Sequence, residues 1–389
     1  MVTTHALSVE DAVRSRYTHA ATSAEVGLCC PASSNPGLLA AVPHEILERD
    51  YGCGDPTRHV SEGATVLDLG SGAGKACYML SQVVGRNGRV IGVDMNDEML
   101  ALARRHLASF NRKLGFSNLE FHKARIQDLR LDLSAMDTYL RDHPVRSSDD
   151  LARAEAHAAA LRAEQPLIAN ESVDVVVSDC VLNLVRGEDK GRLFGELHRV
   201  LRRGGRAVIS DIVSDEDVPA HLQADPDLWT GCVSGAMRED RFLEAFERAG
   251  FYGISIVDRQ AKPWRTVEGI EFRSLTVIAH RGKEGPCWDR KQAVIYRGPF
   301  KEVRDDDGHV LRRGARVAVC DKTFRIYARA PYREHFDFVE PRVEVPLEQA
   351  PPFPCGATML LRDPRDTKGA DVQDSTAAPA LCSGGSCKC

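Results

Sequence analysis

The sequence lacks several features that would assign it to a common class of protein. It has no apolar run of about eighteen residues and no charged leader followed by an apolar stretch, so neither a membrane-spanning helix nor a secretory signal is expected. Its 51 Lys and Arg residues nearly balance its 56 Asp and Glu residues, which indicates no basic surface for nucleic acid or anionic lipid. We therefore expect a cytoplasmic protein without nucleic-acid or membrane partners, with a monomer as the default state.

Paired Cys-x-x-Cys elements are absent as well, although the chain has 12 cysteines. Structural zinc sites commonly use such pairs, so their absence argues against a zinc-stabilised fold. A disulfide framework is typical of short secreted domains, whereas this chain has 389 residues. The cysteines are therefore expected to be mostly free thiols, ligands or redox pairs.

The central feature of the sequence is a predicted strand, glycine loop and helix between residues 66 and 84. An apolar run reaches Asp68 and is followed by glycines at alternate positions, Gly70, Gly72 and Gly74. Glycine lets the backbone turn sharply and lie close to a ligand. The loop is not a phosphate-binding loop, since Leu69 and Ala76 replace a required glycine and hydroxyl residue, and its third glycine comes one residue too early for the dinucleotide fingerprint.

A second acidic residue supports nucleotide binding. Arg89 to Asp94 reads as a short buried strand that ends in Asp94, twenty residues after Gly74. Nucleotide-binding sheets place a carboxylate at this position, where it accepts hydrogen bonds from the ribose hydroxyls. An Asp that merely caps the next helix is the alternative.

The order of predicted elements indicates an α/β protein, with a parallel sheet covered on both faces and a small β-rich appendage. The strand predicted at 173–180 is followed by a fifth strand at 206–211, and an antiparallel hairpin is expected from 253–257 and 272–280. A helix capped by Ser148 is expected within a surface insertion at 131–170. We divide the chain into a helical cap segment, a main domain with a glycine-containing loop at 228–236, a β-rich domain and a disordered tail: 1–60, 61–282, 283–350 and 351–389.

The Asp-x-Gly-x-Gly-x-Gly loop resembles the signature loop of class I S-adenosylmethionine-dependent methyltransferases, which have a Rossmann-like sheet. By this resemblance the aspartate and the glycines hold the methionine part of the cofactor, Asp94 holds the ribose, and the residues near 126 lie beside adenine. The cofactor-binding residues that it implies are Asp68, Gly70, Ser71, Gly72, Gly74, Asp94, Met95, Arg125, Ile126, Gln127 and Ser178.

Three cysteine motifs narrow the resemblance. The segments 51–54, 178–185 and 229–235, together with the glycine loop, are similar to those of the arsenite S-adenosylmethionine methyltransferase family over most of residues 1–350. The resemblance implies that Cys53, Cys180 and Cys232 hold trivalent arsenic. It also implies that a cysteine in the region of Cys29 and Cys30 takes part in disulfide exchange during turnover.

The chemistry of arsenic agrees with this resemblance. Trivalent arsenic is a soft thiophile that accepts three sulfur ligands in a pyramid and keeps a lone pair, which can attack the methyl group of the cofactor. The attack needs no general base, because arsenic carries no proton. Methyl transfer leaves arsenic formally pentavalent, and two thiols that form a disulfide can return two electrons. Cys29 or Cys30 with Cys53 is the expected pair, reset by an external thiol reductant such as thioredoxin or glutathione.

The remaining cysteines carry no such argument. We expect Cys77 to be a packing residue in the helix after the glycine loop. Cys287, Cys320 and Cys355 are expected to be ordinary packing or surface thiols. The tail cysteines are left without an assigned role: Cys382, Cys387 and Cys389.

Two other functions stay open at this point. A methyltransferase for an organic acceptor such as a quinone or sterol would share the cofactor loop but would not need three thiols. A non-catalytic protein that binds zinc or metalloids through thiols would leave the cofactor loop without a use. The number of methyl groups added, and the choice between arsenite and its thiol conjugates as substrate, are also left open.

Overall fold

The computed structural model describes residues 9–23, 25, 34–356 and 358–369. The chain divides into two compact units, Met1–Gly282 and Lys283–Cys389. Cys29 and Cys30 lie outside the described residues, as do the three tail cysteines. Within the part of the chain that is described, no helix is both long and apolar enough to cross a membrane.

The first unit contains nine strands and twelve α-helices among its described residues. Its strands are β1 Thr65–Leu69, β2 Arg89–Asp94, β3 Leu119–Lys123, β4 Val173–Asp179, β5 Leu201–Ser214, β6 Met237–Arg238, β7 Tyr252–Arg259, β8 Arg265–Val267 and β9 Ile270–His280. Its helices are α1 Val9–Thr22, α2 Pro36–Leu39, α3 His44–Leu47, α4 Lys75–Val84, α5 Asp97–Arg105, α6 Leu107–Leu114, α7 Leu133–Asp142, α8 Ser148–Glu164, α9 Gly187–Val200, α10 Ala220–Gln223, α11 Pro226–Thr230 and α12 Glu239–Arg248.

These strands form one sheet in the order β3-β2-β1-β4-β5-β9-β7. The first five strands of this order are parallel, and β9 is antiparallel to both β5 and β7. Neighbouring residues of one strand pack into different apolar clusters: Val66 faces the cluster with α4 and α5, and Leu67 faces the one with α9 and α12. Helices therefore cover both faces, and the predicted α/β fold is confirmed.

Two local predictions need correction. The cap of α8 is Ser147 rather than Ser148, because the Ser147 side chain accepts a hydrogen bond from the backbone N–H of Asp150 at 3.1 Å. β5 begins at Leu201 rather than Arg206, because residues 202–205 are hydrogen bonded to the chain that follows β9: the N–H of Gly204 donates to the carbonyl of Arg281 at 2.8 Å.

The second unit is built on short strands and two helices: β10 Ala293–Tyr296, β11 Glu302–Arg304, β12 Val310–Arg312, β13 Arg316–Ala318, β14 Phe336–Val339, α13 Asp321–Tyr327 and α14 Pro364–Lys368. A three-stranded sheet has the order β13-β10-β14, and β11 pairs with β12. The expected disordered tail does not begin at 351. Arg362 forms an ion pair with Asp289, and Leu361 forms a β-bridge with Val317, so these contacts hold the chain in the second unit.

Candidate active site

A cleft opens at the carboxyl ends of β1, β2 and β4, the edge at which α/β sheets bind ligands. It encloses about 1170 Å³ of empty space, including its mouth. The glycine loop and Asp94 line one part of the cleft, residues Ile126 and Gln127 another, and Cys180 a third. Side chains of α1 also line it, which brings the cap segment to the site.

The glycine loop has the conformation that its sequence requires. Gly70, Gly72 and Gly74 have φ values of 68°, 51° and 92°, which other residues rarely adopt. A Cβ atom at Gly74 would lie 2.7 Å from the ring of Phe121, whereas one at Gly72 would meet nothing within 4 Å. The N–H of Gly72 donates to the Asp94 carboxylate at 2.9 Å, so this acid holds the loop in place.

Most of the predicted cofactor residues line the cleft: Asp68, Gly70, Ser71, Gly72, Gly74, Asp94, Met95, Ile126 and Gln127. The other two have different partners. The buried Ser178 hydroxyl donates to the carbonyl of Leu69 at 3.1 Å and so joins β4 to β1. Arg125 forms an ion pair with Glu10 of α1 at 3.2 Å, and Glu10 itself lines the cleft.

Two acids, the buried Asp68 and the half-buried Asp94, make the cleft suited to a cationic ligand. Desolvation raises the pKa of Asp68 to about 7, although a hydrogen bond from the Cys77 thiol at 3.1 Å opposes the shift. Desolvation also raises the pKa of Asp94, against hydrogen bonds from backbone N–H groups. A positive charge beside these carboxyls would favour their ionised forms. Cys77 is fully buried as expected, and its hydrogen bond to Asp68 was not predicted.

The structure brings together the three cysteines assigned to arsenic. Cys53 and Cys180 form a disulfide with their Cα atoms 5.9 Å apart, and the Cys232 thiol donates to the Cys180 carbonyl at 3.3 Å. All three side chains are buried in one apolar cluster. The sequence analysis expected Cys53 to pair with Cys29 or Cys30. Cys180 is its partner here because β4 ends next to the loop that carries Cys53.

The glycines beside Cys53 allow this close approach. A Cβ atom on Gly52 would overlap the Asp179 carboxylate, and one on Gly54 would overlap the Ser210 side chain. The N–H of Cys53 donates to the same Asp179 carboxylate at 2.6 Å. This backbone hydrogen bond therefore holds Cys53 at the end of β4.

The backbone is strained at two of these cysteines. Cys180 and Cys232 have φ values of 58° and 62°, in the left-handed region that favours glycine. Such conformations cost of order 1–3 kcal/mol and cluster at functional sites. No feature of the sequence predicts this backbone strain.

Polar residues that sequence reasoning missed support the cysteines. The Asn183 side chain donates to the carbonyls of Ile212 and Cys232, at 2.6 and 3.3 Å. The buried Lys190 ammonium donates to the carbonyl of Gly235, and desolvation lowers the pKa of Lys190 to about 8 while Asp211 opposes the shift. Asn183 belongs to the predicted cysteine motif and could have been found from it, whereas Lys190 is an ordinary helical residue in the sequence.

Comparison with known proteins agrees with this geometry. A methyltransferase domain family matches residues 60–250, and a domain of unknown function matches residues 283–372. An arsenite methyltransferase of Aquipseudomonas alcaligenes is 33% identical over 80% of this chain and 84% of its own length. The chain belongs to the arsenite methyltransferase family.

Two further relatives support the membership. The human arsenite methyltransferase is 30% identical over 77% of this chain and 73% of its own length. The crystal structure of an arsenic(III) S-adenosylmethionine methyltransferase from Chlamydomonas reinhardtii superposes with a TM-score of 0.53 at 26% identity, covering 80% of this chain and 99% of that one. The predicted family, the methyltransferase activity and the S-adenosylmethionine cofactor are therefore confirmed for this arsenite methyltransferase family member.

Proposed function

We propose that this enzyme methylates trivalent arsenic and holds it on the thiolates of Cys53, Cys180 and Cys232. The observation that carries the proposal is the convergence of these three side chains in one buried cluster, with Cys180 also lining the cleft that contains the glycine loop. The substrate and the cofactor loop thus share one cleft. Detoxification of arsenite is the role that we infer.

Arsenic binding requires that the Cys53–Cys180 disulfide first be reduced. An external dithiol or glutathione supplies two electrons and two protons and leaves both cysteines as thiols. The three thiols then replace three hydroxyls of arsenite, so that three As–S bonds form, three As–O bonds break, and the thiol protons leave as water. The apolar cluster around the sulfurs excludes water that would reverse this exchange.

Bound S-adenosylmethionine supplies an electrophilic methyl group. The protein holds arsenic with its lone pair free, and this converts a bimolecular encounter into a local one, which can lower the barrier by several kcal/mol. The attack itself needs no general base, because trivalent arsenic carries no proton.

The redox step requires two thiols to return two electrons to the methylated, formally pentavalent arsenic. In the proposed cycle the Cys53–Cys180 disulfide is the first oxidised form, and it links two of the proposed arsenic ligands. A thiolate at Cys29 or Cys30 can attack the Cys53 sulfur and release Cys180, which conserves electrons and gives the pair expected from the sequence. The external reductant then resets that pair.

The assay combines the purified, reduced protein with arsenite, S-adenosylmethionine and a thiol reductant, and follows methylated arsenic by chromatography with mass detection. We expect methylated products from the wild type and at least about 100-fold less from Cys180→Ser, because a pyramidal site loses one of three ligands. Cys355→Ser is the matched control and should retain activity.

An enzyme for an organic acceptor would behave differently. It would give no methylated arsenic in the same assay, and its methyl transfer to a quinone or sterol would survive replacement of Cys232. No arsenic product from a folded protein that binds S-adenosylmethionine would contradict the proposed function.

A further inference from the structure

We propose that the second unit carries its own site for trivalent arsenic, formed by Cys287, Cys320 and Cys355, which we call the trithiol set. The sequence analysis expected these cysteines to be ordinary thiols without a common role. Their three sulfur atoms instead lie within 4.8 Å of one another. This spacing allows one arsenic atom to bind all three sulfurs.

Backbone hydrogen bonds between three separate segments assemble the trithiol set. The carbonyl of Cys287 accepts from the N–H of Phe353 at 2.9 Å, which joins the first cysteine segment to the third. The N–H of Asp321 donates to the carbonyl of Trp288 at 2.9 Å, which joins the second segment to the first. Cys287 takes part in one of these bonds, and Cys320 and Cys355 lie one and two residues from them, which brings distant positions of the chain together.

The three cysteines of the trithiol set differ in solvent exposure. Cys320 is 1% exposed, Cys287 is half-buried and Cys355 is exposed, so arsenite can enter from solvent at Cys355. The Cys320 sulfur accepts from the backbone N–H of Thr323 at 3.4 Å.

The number and type of ligands favour trivalent arsenic. Within the described ranges, no histidine or carboxylate joins the three sulfurs at this spacing. Structural zinc is almost always four-coordinate, whereas arsenic(III) takes three sulfurs and keeps its lone pair. Binding exchanges three As–O bonds for three As–S bonds and releases three water molecules, with no change of oxidation state. The choice of arsenic over other thiophilic ions rests on the proposed function.

The test uses the full chain and isolates the trithiol set by serine substitution. In a background variant every other cysteine except Cys77 is serine, at positions 29, 30, 53, 180, 232, 382, 387 and 389. The reduced variant is titrated with arsenite, and bound arsenic is counted after gel filtration by mass spectrometry. We expect one arsenic per chain, with three sulfur neighbours by X-ray absorption.

Two additional variants set the controls. Adding Cys355→Ser removes the exposed ligand and should weaken arsenite binding at least tenfold, whereas adding Cys77→Ser removes a buried thiol elsewhere and should change nothing. If the background variant does not fold, the same comparison is made in the otherwise native chain, where Cys355→Ser should lower bound arsenic by one equivalent.

Three results would overturn the proposal: a folded background variant that binds no arsenic, arsenic binding that survives Cys355→Ser, or one tightly held zinc per chain that depends on Cys355. These outcomes are separate from failure of the methylation assay, because the background variant is not asked to transfer methyl groups. Cys355→Ser in the native chain is expected to methylate arsenic at the wild-type rate.

Discussion

The two sets of three cysteines differ in how the protein holds them. Cys53, Cys180 and Cys232 are all buried, and two of them have strained, left-handed backbone. In the described part of the second unit no cysteine has a positive φ, and the trithiol set reaches the surface at Cys355. Under the proposed function, the strained backbone fixes the sulfurs of the first set so that bound arsenic faces S-adenosylmethionine. The trithiol set is proposed only to bind arsenic, which requires no more than three sulfurs close together.

The largest effect that separates the two sets should come from one serine in each. We expect Cys232→Ser to lower the rate of arsenic methylation at least about 100-fold, because it removes a proposed arsenic ligand from the first unit. Cys320→Ser removes an equally buried thiol from the second unit and should change the rate less than twofold. Steady-state methylation rates of both purified variants measure this. Equal losses of rate in the two variants would contradict the assignment of methylation to the first set alone.

A smaller effect is expected from the cofactor side of the first unit. Asp94→Asn keeps the size of the side chain but removes the charge that accepts hydrogen bonds, so the Kd for S-adenosylmethionine should rise about 10- to 100-fold. Arsenite binding to the trithiol set should not change. Calorimetric titration measures the Kd for S-adenosylmethionine, and the arsenic count measures arsenite bound to the trithiol set. An unaltered Kd would contradict a role of Asp94 in cofactor binding.

The smallest effect concerns Asp179, a half-buried acid whose carboxylate lies within 4.8 Å of the Cys53 and Cys180 sulfurs, whereas no described carboxylate lies that close to all three sulfurs of the trithiol set. Desolvation raises the pKa of Asp179 to about 8, with a further contribution from Asp50. A raised folded-state pKa gives stability that is present at acid pH and is lost as pH rises through about 8. The free energy of unfolding of the reduced protein should therefore fall with pH, by up to about 1.4 kcal/mol per pH unit from this group.

Asp179→Asn cannot titrate and should lack this part of the slope. Denaturant unfolding at several pH values between 5 and 8 compares the two proteins, and the other buried acids are common to both. Parallel curves for wild type and variant would show that Asp179 does not titrate in this range.

The parts of the cleft that could be predicted from the sequence are those formed by residues close together in the chain. The glycine loop needs left-handed backbone at Gly70, Gly72 and Gly74, and an acid at the end of β2 follows at a fixed distance, so both could be recognised from spacing. The order of apolar runs likewise predicted a parallel sheet, because strands covered on both faces are apolar almost throughout.

The rest depends on contacts between distant segments. The trithiol set joins positions from three segments that are far apart in the chain and meet through tertiary contacts, and no local pattern marks them. The partner of Cys53 was predicted from the resemblance, but β4 brings Cys180 next to it. The left-handed backbone at Cys180 and Cys232 is also set by tertiary contacts, since cysteine has no local preference for it.

We propose that three cysteines of the first unit form the arsenic site of the methylation reaction. X-ray absorption at the arsenic edge tests this most directly, on reduced protein that carries Cys355→Ser and one equivalent of arsenite. We predict three sulfur neighbours, and a sulfur replaced by oxygen when Cys232→Ser is added. An arsenic atom coordinated mainly by oxygen, or a sulfur shell unchanged by Cys232→Ser, would contradict the account.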